Sequence, residues 1–209
     1  MRKQFLVLMA ACLFSVSLSA QSFGLRVGVN ATNASIDVDD ADVDVDVDGE
    51  TNLMLGLFFN LPLGTDVISL QPEVNYLNRG YTRSFSVGNL IDETYSLAYL
   101  DLGALVRVNL GSDDGLGFYL GAGPQFSYAV SGSYTTINED RDVDFDADRL
   151  NRGELQFSGV VGLTYQLGVK FFLEGRYNGS FSNQRDLDTE DIRQRSVGVN
   201  GGIMIPLGG

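Results

Sequence analysis

The sequence predicts an all-β fold: an eight-stranded antiparallel up-and-down transmembrane β-barrel with short periplasmic turns and long extracellular loops. Three observations predict it. Beyond residue 21, apolar residues recur at every second position in eight segments, each near the ~10 residues that a tilted membrane strand requires. The links between these segments alternate between tight turns and long polar stretches. The face opposite the apolar one carries charges among glycines, which suits the packed interior of a narrow barrel better than a wet exterior.

The chain opens with "MRKQFLVLMAACLFSVSLSAQ". Arg2 and Lys3 form a basic start, Phe5 to Val16 an apolar run, and "SLSAQ" a small-residue cleavage region, so residues 1–20 are expected to be a signal peptide. The run is shorter than the ~20 residues of a membrane-spanning helix. "MAAC" loosely resembles a lipidation box, but the residues after Cys12 stay apolar. Cleavage after Ala20 would leave residues 21–209 as one barrel domain without cysteine, and would take the net charge from −13 to −15.

The strands follow in order. "FGLRVGVNAT" sets Phe23, Leu25, Val27 and Val29 against Gly24, Arg26, Gly28 and Asn30. "NLMLGLFFNLPL" places Leu53, Leu55, Leu57 and Phe59 on one face. "VISLQPEVNYLNRGY" opposes Ile68, Leu70, Val74 and Tyr76 to Ser69, Gln71, Glu73 and Asn75. "SLAYLDLGALVRVNL" opposes Leu100, Leu102, Val106 and Val108 to Tyr99, Asp101, Arg107 and Asn109. "GLGFYLGAGPQFSYAVSG", "ELQFSGVVGLTYQL", "VKFFLEGRYNGSF" and "SVGVNGGIMIPL" complete the eight.

"PLGTD", "GSDDG" and "QLG" are turns rich in Gly, Pro and Asp. Long loops are expected at about residues 34–50, 83–93, 135–152 and 183–193. With an even strand number both termini fall on the short-turn side. A soluble periplasmic ligand-binding barrel also alternates, but it would bury its apolar face. Here the polar face carries Arg26, Glu73, Asp101, Arg107, Lys170, Glu174 and Arg176, a nearly balanced set suited to pairing inside a lumen.

The stretches "FGLRVGVN", "LQPEVNYLNRGY", "YLDLGALVRVNL", "YLGAGPQFSYAVSG" and "FFLEGRYNGSFSN" resemble, in order, the PorT-type, porin-like outer-membrane β-barrel family over residues 21–209. The resemblance implies an eight-stranded outer-membrane barrel, usually without assigned activity. The family's namesake is linked to protease export by a dedicated secretion system. This chain departs from outer-membrane barrels generally in closing on "GGIMIPLGG" rather than on an aromatic residue, which bears on recognition by the insertion machinery.

The chain contains no histidine, which excludes Ser-His-Asp hydrolysis and most zinc sites. Carboxylates alone can run glycoside hydrolysis, but Glu73, Asp101 and Glu174 alternate with cations and are better explained as salt-bridge packing. No catalytic or cofactor-binding residue is assigned. The acidic balance argues against nucleic acid. An eight-stranded lumen filled by side chains argues against general-diffusion pore activity.

The acids concentrate in the outward loops. "DVDDADVDVDVDGE" at residues 37–50 holds eight and "NEDRDVDFDADR" holds six, so the two contain 14 of the chain's 27. Asp44, Asp46, Asp48 and Gly49 fit positions one, three, five and six of a calcium loop, but Leu55 stands where its bidentate Glu should be. These three aspartates are the only metal candidates, weakly bound Ca2+ being the only cofactor expectation. An exposed acidic hairpin is the better explanation of the stretch.

The sequence thus points to a monomeric, non-enzymatic outer-membrane protein, contacting lipid and offering acidic loops to a protein partner. A component of a secretion apparatus is the alternative, which loss of secreted protease activity on deletion would favour.

Overall fold

Alternating Val, Leu, Phe and Tyr favour extended chain, and the computed structural model is built from strands. It describes residues 21–38, 45–87, 89–111, 115–136, 140–145, 151–181 and 190–207; the expected signal peptide at 1–20 lies outside them. The strands are β1 (Ser22–Val38), β2 (Val45–Pro62), β3 (Ile68–Val87), β4 (Asn89–Gly111), β5 (Leu116–Thr135), β6 (Asp140–Asp142), β7 (Gly153–Leu167), β8 (Val169–Ser180) and β9 (Glu190–Pro206). Among the described residues no helix is long and apolar enough to cross a membrane, which leaves crossing by strands open.

Each long strand pairs antiparallel with the next, β5 pairs with β7, and β9 returns to β1. Eight long strands therefore close into an up-and-down barrel, and closure leaves no open edge along the wall. The three-residue β6, which the sequence did not announce, pairs with the end of β5. Both termini lie together on the short-turn side, where Ser22 pairs with Pro206 and the Leu207 amide donates to the Gln21 carbonyl. Two of the turns there need glycine: Gly64 and Gly168 hold φ of 76° and 78°, a region costly for other residues.

The outward ends differ from the expected loops. β1 runs to Val38 and β2 starts at Val45, while β3 and β4 are separated by residue 88 alone. β9 begins at Glu190 and pairs with β1 through Val38. Period-two sequence continues through these stretches, and pairing satisfies the backbone of two adjacent extended segments. Most of what composition marks as loop at 34–50 and 83–93 is therefore hairpin.

Which face points outward decides the kind of barrel. Val27 is 54% exposed and its neighbour Arg26 is 3% exposed. The same contrast runs along every long strand: Leu55, Leu102, Phe118, Leu163, Leu173 and Val199 face out. Such a wall is inside-out relative to a soluble lipocalin-type barrel and is that of a barrel whose solvent is lipid. The apolar–polar alternation of the sequence is thus preserved strand by strand.

If lipid faces this wall, Leu57→Arg, placed five residues above the end of β2, should lower the barrel's unfolding free energy in bilayers by about 2–4 kcal/mol. Reversible denaturant unfolding in lipid vesicles measures it; an unchanged value would contradict the outward assignment.

Candidate functional site

The inward positions bring eight charged side chains into the lumen. Arg26 of β1, Arg79 of β3, Arg107 of β4 and Arg176 of β8 face Glu73 of β3, Asp101 of β4, Glu154 of β7 and Glu174 of β8, and all are buried. Cations and anions are equal in number, four of each. Six of these were legible from alternation, as Arg26, Glu73, Asp101, Arg107, Glu174 and Arg176. Arg79 and Glu154 were not, although each continues the inward parity of its strand; both stand beside stretches that composition marks as loop. Lys170, expected with them, lies half-buried at the periplasmic mouth because it is the second residue of β8.

The central group crosses the lumen. β3 and β8 stand opposite one another in the ring of eight, and Arg176 grips Glu73 with two nitrogens: Nη2 donates to Oε2 at 2.9 Å, and Nη1 donates to Oε1. Arg176 Nε also donates to Glu174 at 3.2 Å. From β1, Arg26 reaches both carboxylates, Glu73 at 3.1 Å and Glu174 at 3.4 Å. Gln71, Asn75, Ser158 and Tyr119 complete the shell: the Tyr119 hydroxyl donates to Glu174 at 2.9 Å, and Asn75 donates to Glu73 at 3.1 Å. Bidentate, charge-assisted bonds of this kind are stronger and more directional than single ones.

Nearer the outer end, Arg79 lies between Asp101, to which Nη2 donates, and Glu154 at 3.7 Å. Gln125 and Gln156 bridge the two carboxylates, Gln125 donating to Asp101 at 2.8 Å and Gln156 to Glu154 at 2.8 Å. The ring of Tyr99 supports the Arg79 guanidinium at 4.6 Å.

Apolar layers bracket the charges. Phe58, Phe172 and Met204 form one towards the periplasmic end, with the Arg26 guanidinium 4.8 Å from the Phe58 ring. A side chain at Gly24 would collide with that ring and one at Gly162 with Tyr119, so the glycines of the polar face make room for lumenal aromatics. At the outer end Met54, Leu77, Leu97, Tyr99, Ala129 and Tyr134 form a second layer, and the third outward segment folds onto it. β6 docks on β5, the Val143 amide donates to the Gly132 carbonyl at 2.9 Å, and Val143 and Phe145 are buried in the cluster. The "DVDF" alternation in the second acid-rich stretch thus supplies two apolar anchors to this layer.

The periplasmic mouth is different. It is a polar cavity of about 440 Å³ lined by Asn60, Asp66, Arg107, Asn109, Thr164 and Lys170, among others. Arg107 forms its inner wall and lies 3.5 Å over the Tyr119 ring.

Two of the three metal candidates lie at the outward end of β2. Asp44 lies outside the described residues; Asp46 and Asp48 stand in β2, paired with Ser84 and Thr82 of β3. Among the described residues no three acidic, His or Cys groups converge for a metal.

Residues 19–186 match the family model described as outer membrane protein beta-barrel domain. Comparison with curated proteins gives no match. Similar solved structures include Neisserial surface protein A, 12% identical over 90% of this chain and 99% of that one, with a TM-score of 0.49. OprG from Pseudomonas aeruginosa is 14% identical over 89% and 95%, with a TM-score of 0.47. Ail of Yersinia pestis, in complex with the heparin analogue sucrose octasulfate, is 13% identical over 90% and 99%, with a TM-score of 0.45.

Proposed function

The chain belongs to the outer membrane protein beta-barrel domain family, and on that premise we propose that it is a non-enzymatic, non-conducting barrel that presents acidic hairpins at the cell surface. The observation that carries the reading is the ion-paired group spanning the lumen from β3 to β8, with an apolar layer above it. Moving a hydrated ion past Glu73 and Arg176 would mean separating buried charges, which costs several kcal/mol. An eight-stranded lumen is of a size that side chains fill.

The remaining surface suits display. Eight acids lie between residues 37 and 50, the stretch in which β1 ends and β2 begins. A dense run of carboxylates gathers counterions without a formed cage, and divalent cations would let it approach anionic lipid headgroups or an acidic partner. The protein acts as a monomer anchored in lipid, with a protein partner engaging the outward hairpins. The PorT-like role in protein export is a separate proposal, resting on sequence resemblance alone.

Reconstituted into planar bilayers, the protein is expected to show no stable large conductance steps, and Phe145→Ser should not create them because the ion-paired layers lie below the cap. Stable steps in the wild type would overturn the non-conducting reading. Calorimetry of the folded barrel with calcium should give weak, non-saturating heat that Asp46→Asn leaves almost unchanged; a saturable site lost in that variant would restore the calcium-loop assignment.

A further inference from the structure

Three of the four lumenal arginines have a carboxylate within ion-pair distance: Arg26 and Arg176 share Glu73 and Glu174, and Arg79 has Asp101 and Glu154. Arg107 has none among the described residues. Its hydrogen-bond partners are neutral: Nε donates to Asn109 at 2.7 Å, and Nη1 donates to Gln71 at 3.2 Å and to the Met204 sulfur at 3.8 Å. Nη2 makes no hydrogen bond to the protein among the described residues. It is not among the sealed, unpartnered atoms either, unlike Nε and Nη1 of Arg79, so it opens onto the cavity that Arg107 lines.

The geometry points to an oxyanion-binding site in the periplasmic mouth, with the Arg107 guanidinium as its anchor and a small carboxylate or phosphate as its ligand.

Several features make this more than a wet vestibule. The Arg107 plane is fixed by its stack on Tyr119 and by bonds to β3, β4 and β9, so little freedom is lost on binding. The Tyr119 hydroxyl is turned away to Glu174, leaving only its ring against the guanidinium. Lys170 adds a second positive charge to the lining. Asp66 is the opposing carboxylate of the described lining, which disfavours crowded polyanions. A volume near 440 Å³ admits a small solute and not a folded partner. Since the chain carries a net charge of −13, bulk electrostatics repel anions, so saturable anion binding would have to come from a built site.

The test uses the full-length folded barrel in detergent micelles, its folding checked by heat-modifiable gel migration. Inorganic phosphate and acetate are titrated at constant ionic strength against chloride, and backbone amide shifts are followed by NMR. The expected result is saturable phosphate and acetate binding, with shifts centred on Arg107, Asn109, Thr164 and Met204, and at least tenfold weaker binding in Arg107→Gln. Lys170→Gln at the rim should weaken binding severalfold, and it keeps the test decisive if Arg107→Gln does not fold. A further arm with short-chain phosphatidylglycerol assigns the source: tighter binding than free phosphate would identify a lipid headgroup as the ligand of the same oxyanion site. Equal response to chloride, shifts confined to the outward hairpins, or unchanged affinity in a folded Arg107→Gln would overturn the proposal. None of these outcomes depends on whether the barrel conducts.

Discussion

Everything in this barrel depends on satisfying charge inside a space too narrow for bulk water. The lumen holds four arginines and four carboxylates, and an isolated buried charge of that kind would be prohibitively costly. The cost is offset because the groups come from opposite walls and meet: Arg176 on β8 takes both oxygens of Glu73 on β3, and Arg26 on β1 spans Glu73 and Glu174. In turn this fixes the strand registers. A slip of one residue would send Arg26 or Glu73 into lipid and bring Val27 or Val74 inside, so one side-chain network and one pairing pattern specify each other.

The balance is complete overall but uneven along the axis. The outer group sets one arginine between two carboxylates, the central group pairs two with two, and Arg107 stands alone at the periplasmic end. Apolar layers bracket the charges, with Val143 and Phe145 from the third outward segment completing the outer one. Among the described residues the lumen is therefore graded: an apolar layer at the outer end, ion pairs at the centre, and a cavity lined by Arg107, Lys170 and Asp66 towards the short-turn end. The outer hairpins face the surroundings, and the mouth containing Arg107 faces the periplasm.

Much of this was legible in the sequence because a strand's side chains alternate with a period of two. Once Leu25 and Val27 were read as outward, Arg26 had to point inward, and the same parity placed Glu73, Asp101, Arg107, Glu174 and Arg176. Alternation says nothing about where a strand stops. Arg79 and Glu154 were missed beside supposed loops, and Lys170 was placed too deep because parity gives a side and not a height. Composition also misled at "DVDF": aspartates mark a solvated run, yet two apolar residues between them suffice to anchor it in the outer cap. The pairing of Arg107 with neutral groups was invisible, since which arginine finds which carboxylate depends on the barrel's circumference.

The most direct test of this account is a double-mutant cycle on Glu73 and Arg176, read as unfolding free energy in lipid vesicles. Each single change, Glu73→Gln or Arg176→Met, strands a buried partner and should cost about 3–5 kcal/mol. The double variant should lose clearly less than the sum of the two, giving a coupling of at least ~2 kcal/mol. Additive losses would mean that the two side chains do not act as one unit across the lumen, and would contradict the account at its centre.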